Sequence, residues 1–296
     1  MTWVTWRQHR NQAMACLGLL AAVAAFAVAA GVTMRTAAGT DGLTACLSRS
    51  GAAGCPAPIG SFLTRFGTGV NTTAWAVLVL LPGLVGVVVG APLLGRELET
   101  GTWRLAWSQT VPRTRWLVSR LALVTGGLVV LGAAMTAVIT WYRAPMDRLT
   151  GHFAYAFDYE GVAATCYLLC AFGLAVLAGL LLRNSIGAMV AAFVPWLVIR
   201  GVIEAYVRPY HFLPPAHLQV ACATSSCDFS TNALPPYTGH AGDWQLSVVP
   251  RAAHLAVTYQ PAGRFWPLQL IEGGLFLVLA AAALGAAVWL LHRRTS

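Results

Sequence analysis

From residue 74 to 94, and again from 121 to 142, the chain carries no charged side chain. Each run is long enough to cross the hydrocarbon core of a bilayer as a helix, which takes about 20 apolar residues. This constrains the fold more tightly than anything else in the sequence, because backbone polar groups in lipid must be satisfied internally and only helices and closed barrels achieve that. Comparable apolar runs recur along the chain and give six spans, at about 13–34, 74–94, 116–142, 161–182, 185–207 and 268–291. The expected fold class is an all-α, multi-pass membrane protein forming a single domain over 1–296. Charged residues make up only 10% of the chain, against about 25% in soluble domains.

Between the two uncharged runs lies a polar island, RELETGTWRLAWSQTVPRTR, from Arg96 to Arg115. Arg96, Arg104, Arg113, Arg115 and Arg120 crowd this connection, which places it in the cytoplasm by the positive-inside rule. Helical spacing puts Arg96, Glu99, Thr100, Trp103 and Trp107 on one face and Leu98 and Leu105 on the other. Gly101 weakens the helix, and Pro112 turns Val111 away from helical geometry, so the next helix is expected to start at Pro112. Segment 96–111 therefore reads as an amphipathic helix on the membrane surface, able to take force from a soluble partner. The plainer alternative is an interface-anchored loop, since Trp and Arg are ordinary interface residues.

The net charge of +9 lies in membrane-flanking segments without aromatic platforms, so it points to lipid headgroups and orientation and away from nucleic acid. Every one of the 19 basic Lys or Arg residues is Arg. A Walker A loop needs a lysine for the β and γ phosphates, so this chain carries no standard ATPase site. No catalytic, cofactor-binding or metal site is expected in it, and any ATP and Mg²⁺ belong to another polypeptide.

Residues 1–12, with Trp3, Trp6, Arg7 and Arg10, suit an interfacial helix, a cleavable signal peptide being the alternative. Segment 35–72 is rich in Gly, Ala and Thr and shows no clear period; its Cys46 and Cys55 are close enough in sequence to form a disulfide, and so are Cys222 and Cys227 in the long polar connection 208–263. The aromatics alternating from Phe153 to Tyr159 read as an interface belt, with a short strand as the alternative. Cys166 and Cys170 read as span packing. His211, His217, His240 and His254, with Asp228 and Asp243, lack metal-site spacing and read as solvated loop residues.

Six spans with a cytoplasmic N-terminus put both termini inside. Ten arginines then fall in short inner segments and eight in outer segments that hold more than twice as many residues, Arg200 lying within the fifth span, while all four loop cysteines fall outside, where disulfides persist. Three charges are left at membrane depth: Arg200 and Glu204 on the fifth span, kinked at Pro195, and Glu272 on the sixth. Such charges usually face a partner or a cavity. An Arg200–Glu272 pair closing an outer gate is expected, with Glu204 a second candidate partner; the alternative is that all three snorkel to the headgroups.

The run from Pro92 to Thr102, followed by Leu105-Ala106-Trp107-Ser108-Gln109, resembles the cytoplasmic loop of ABC-2 type transporter permeases. A second stretch, from Tyr259-Gln260-Pro261-Ala262 through Arg264-Phe265-Trp266-Pro267 to Glu272-Gly273-Gly274, is similar to the approach to the last helix in such permeases from high-GC bacteria. The resemblance implies that 96–111 is a coupling segment docking on a separate ATP-binding cassette subunit through Arg96, Glu97, Glu99, Thr100, Trp103 and Trp107. It further implies a second permease copy or a sister permease, a location in a bacterial plasma membrane, and export of a substrate that the resemblance leaves open, the family handling drugs, lipids, glycans and peptides; the apolar lining of the spans leans toward an amphipathic or lipid-like one. An intramembrane enzyme using His152, Asp158 or the outer histidines, or a membrane anchor or sensor without a transport path, are the competing readings; the first lacks a nucleophile elbow or a metal motif.

Overall fold

The computed structural model describes residues 2–50, 54–67, 70–100, 113–153, 157–221, 242–251 and 254–293. Among these, six helices are long and apolar enough to cross a membrane. Helix α1, Thr2–Thr40, runs without interruption from the expected interfacial segment through the first span. It is followed by α2, Leu43–Ser50, and α3, Pro56–Gly67, where the sequence suggests irregular chain. Their apolar residues do follow a helical period: Leu43 and Leu47 on α2, and Ile59, Phe62, Leu63 and Phe66 on α3, pack on Met34 and Ala38 of α1. Cys46 and Cys55 are disulfide-bonded and join α2 to the chain just before α3. Cys222 and Cys227 lie outside the described residues.

Helix α4, Val70–Thr100, passes through Pro82 and Pro92 and continues into the polar island, so that residues 96–100 form the end of a span helix and not a separate one. Trp103, Trp107 and Pro112 lie outside the described residues. Helix α5, Arg113–Thr150, outruns its expected end by eight residues, 150 against 142. Helices α6, Ala163–Leu182, and α7, Ser185–Val202, are joined by a two-residue turn. Arg183 takes a left-handed conformation there and Asn184 caps α7 by accepting hydrogen bonds from the amides of Ile186 and Gly187. A π-turn, Ile203–Val207, leads from α7 into α8, Arg208–Tyr210. The last span is α9, Phe265–Arg293.

Helix α6 is the hub, packed against α4, α5, α7 and α9. Small residues allow the close approach. A Cβ on Gly86 or Gly90 of α4 would stand 2.6 Å from the Leu168 carbonyl oxygen or 2.7 Å from that of Phe172, and one on Gly173 would stand 2.9 Å from the Ala280 carbonyl oxygen of α9. This is the small-xxx-small packing of membrane helices. Helix α1 leans on α5, with Arg35 stacked 4.0 Å over the Trp141 ring.

The connection 208–263, expected as a loop, folds in part into an antiparallel sheet of β1, Ala216–Ala221, β2, Trp244–Arg251, and β3, His254–Gln260, in the order β1-β3-β2. Buried Gln260 ties the sheet to the bundle, donating to the carbonyls of Pro209 at 3.0 Å and Leu213 at 2.8 Å. Phe153, Phe157 and Phe265 form a buried aromatic cluster beneath Trp244. Phe153 and Phe157 therefore face protein and not headgroups, contrary to the interface belt, because the sheet covers this end of the bundle. We call it the sheet end.

Candidate functional site

At the sheet end five side chains meet in the protein interior. Glu272, fully buried on the second turn of α9, accepts at Oε1 from the Tyr167 hydroxyl (2.6 Å) and from Arg208 Nη2 (2.8 Å), and at Oε2 from Arg208 Nε (2.7 Å). This is a two-pronged guanidinium–carboxylate pair, the strongest geometry available to these groups. Arg208 Nη2 also reaches Asp158 Oδ1 at 2.6 Å, and Arg200 Nη2 approaches the same oxygen at 3.2 Å. Arg200 is 1% exposed, donates from Nη1 to the Val79 carbonyl, and stacks 4.5 Å from the Tyr167 ring. Two cations and two carboxylates thus form one neutral network, linking α4, α6, α7, α8, α9 and the connector that precedes α6.

The expected Arg200–Glu272 pair is not the one formed: Glu272 pairs with Arg208, and Arg200 pairs with Asp158. The reason is the π-turn. In an unbroken α-helix Arg208 would point about 80° away from Arg200. The i to i+5 turn, closed by the Arg208 amide on the Ile203 carbonyl, winds the chain more slowly and brings Arg208 back onto the Arg200 face. Pro209 accounts for the turn, since in an α-helix its ring would strike the Ala205 carbonyl. Glu204 is half-buried and takes no part in the ion pairs among the described residues.

Asp158 feels two opposed effects. Burial pushes its carboxyl up, and the guanidiniums of Arg208 and Arg200 outweigh that and hold it below the ordinary value of 3.8. Beside it, an apolar cleft between α4, α5 and α6 runs from Asp158 and Tyr159 past Pro82, Val85 and Met135, with about 40 Å³ of free space. That admits a water or two.

A second charged cluster lies on the other side of the same connector. Arg143 holds Asp147 Oδ1 at 2.8 and 3.1 Å, and His152 Nδ1 lies 2.8 Å from Glu160 Oε2. Burial, and then the Asp147 carboxylate, push the Glu160 carboxyl up to about 7. Of the expected coupling residues, Arg96, Glu97, Glu99 and Thr100 occupy the last turns of α4 at the opposite end of the bundle. Sequence reasoning missed Arg208 and Tyr167, and offered Asp158 only as a catalytic candidate of the competing enzyme reading.

Comparison with known proteins gives a family match over residues 17–208, to a model described as ABC-2 membrane transporter related. The match runs from the first span nearly to the end of the fifth and includes Asp158, Tyr167, Arg200 and Arg208; the sheet and α9 lie beyond it. No curated protein and no solved structure gives a match.

Proposed function

The chain belongs to the ABC-2 membrane transporter related family, and on that premise we propose that it is the permease subunit of an ATP-binding cassette exporter whose ATP is hydrolysed by a separate protein. The observation that carries this reading is the family match through five consecutive spans. The absence of lysine, and with it of a Walker A loop, supports a separate engine. In this reading the end of α4 and the segment after it face the cytoplasm and dock on the cassette protein through Arg96, Glu97, Glu99, Thr100, Trp103 and Trp107. Both termini are then cytoplasmic, and the sheet end is extracytoplasmic, where the Cys46–Cys55 disulfide suits an oxidising compartment.

The neutral network of Arg200, Asp158, Arg208 and Glu272 then acts as the outer gate, holding the ends of three spans together until motion at the coupling segment parts them. The apolar walls of the bundle favour an amphipathic or lipid-like substrate, and a second copy or a sister permease completes the path. The test is ATP hydrolysis in proteoliposomes containing the chain and a cassette protein encoded beside it. Stimulation of that protein's ATPase by the chain is expected, and a Glu97→Ala, Glu99→Ala double variant should lower it by about tenfold, as for the loss of interface charge pairs contributing about 1.5 kcal/mol. Robust hydrolysis by the chain alone, or no stimulation of the cassette protein, overturns the reading.

A further inference from the structure

Asp147 on the last turn of α5, His152 just after the Gly151 turn, and Glu160 at the end of the connector converge at the sheet end. The Asp147 and Glu160 side chains are only 4% and 3% exposed. Arg143 occupies Asp147 Oδ1, and its Nε stands 3.6 Å from Glu160 Oε1 without a hydrogen bond to it; His152 faces Glu160 Oε2. Asp147 Oδ2 and Glu160 Oε1 are left buried with no hydrogen-bond partner. A buried carboxylate oxygen without a donor is costly, and here two occur in one cluster. One nitrogen of His152 and one oxygen from each carboxylate lie within 4.8 Å of one another, so a modest contraction brings all three to bonding distance of a common ion.

We propose that Asp147, His152 and Glu160 form a binding site for a divalent transition-metal cation of the zinc class. The donor set selects the class. One imidazole and two carboxylates suit zinc and its neighbours, whereas calcium and magnesium favour six or more oxygen ligands or retained waters. His152, 52% exposed, opens the site to solvent and leaves a coordination position free. Arg143 holds the far oxygen of Asp147 and fixes the carboxylate's orientation, the role of an outer partner at a metal site. Bound metal would tie the end of α5 to the start of α6. The proposal is independent of the transport reading.

The test uses the full chain, purified in detergent without a histidine tag, exchanged against Zn²⁺ and then dialysed, with retained metal measured by mass spectrometry. One zinc ion per chain is expected. In competition with a chromophoric chelator, His152→Ala should weaken zinc binding by about 100-fold, while His211→Ala, at an exposed histidine of the same end, should not change it. Glu160→Gln, nearly the same in shape, guards against misfolding of the alanine variant and should also lose zinc. No retained zinc, meaning that the carboxylates share only a proton, overturns the proposal. So does equal retention by the His152→Ala and Glu160→Gln variants, meaning an adventitious ion only.

Discussion

Asp158 and Glu160 are two residues apart on one connector, yet they belong to two clusters of different kinds. Asp158 joins two arginines and a second carboxylate, and both oxygens of Glu272 are bonded. Glu160 joins one arginine, a second carboxylate and a half-exposed histidine, and two carboxylate oxygens are left without donors. Tyr159, buried between them, has its hydroxyl pKa raised by burial and then by Asp158. Burial does not separate the clusters, since Glu160 is nearly as hidden as Glu272. Charge balance does: the first cluster is neutral as it stands, although Arg200 Nε and Nη2 are buried without a hydrogen bond, whereas one with a surplus carboxylate calls for a proton or a cation.

The comparison breaks first at Glu272. Replacing it with Leu strands Arg208 with a single counter-charge that Arg200 also uses, and removes the acceptor of the Tyr167 hydroxyl. Breaking a buried pair by removing one partner costs about 3–5 kcal/mol. Thermal unfolding in detergent should show a loss of that size. Combining the change with Arg208→Met leaves Arg200 with Asp158 and should recover much of it. Single losses that simply add would mean that the two residues are not coupled, and the network would not be one unit.

Asp158→Asn comes next, because it takes one shared oxygen's charge from two guanidiniums but keeps an acceptor in place. The expected cost is about 2 kcal/mol, in the range for hydrogen bonds to charged groups. The variant also separates the pH responses. A carboxyl held below 3.8 in the folded protein contributes stability above that pH and loses it as pH falls through the folded value. Wild-type protein should therefore lose stability below about pH 4 more steeply than the Asn variant, as read by unfolding temperature against pH. Parallel curves would show that Asp158 carries none of the acid sensitivity.

The two regions were not equally legible in the sequence. Spans are, because lipid tolerates few charges and each apolar run must be about 20 residues long. That Arg200 and Glu272 needed partners followed from their depth, but the identity of the partners did not. Arg208 stands before Pro209, which reads as the end of a helix, whereas the chain absorbs that proline in a π-turn and keeps Arg208 inside. Asp158 and Glu160 are two carboxylates in a polar connector, and only the fold shows that alternate residues face opposite clusters. The sheet was missed for another reason: β1 pairs with β3 across a long stretch of chain, which no local period announces, although β2 and β3 follow one another directly in the sequence. Helices α2 and α3 carried the i, i+3, i+4 signal, hidden by their Gly, Ala and Thr neighbours.

The smallest effect sharpens the comparison most. Glu160→Gln removes one negative charge from the surplus cluster and nearly preserves its shape. The new amide can donate to Asp147 Oδ2, which now has no partner, while its carbonyl oxygen can still accept from His152. What remains is the Arg143–Asp147 pair, balanced and bonded through two nitrogens. In protein treated with chelator, the stability of this variant should be within about 1 kcal/mol of wild type, or above it, since one gained hydrogen bond is worth about that much. The same carboxylate-to-amide change at Glu272 keeps the shape as closely but leaves the neutral network with an unmatched cation, so it should destabilise. Unfolding temperatures of the two variants side by side decide the matter. If both fall equally, burial and not charge balance governs these clusters, and the distinction between a neutral clamp and an open site is lost.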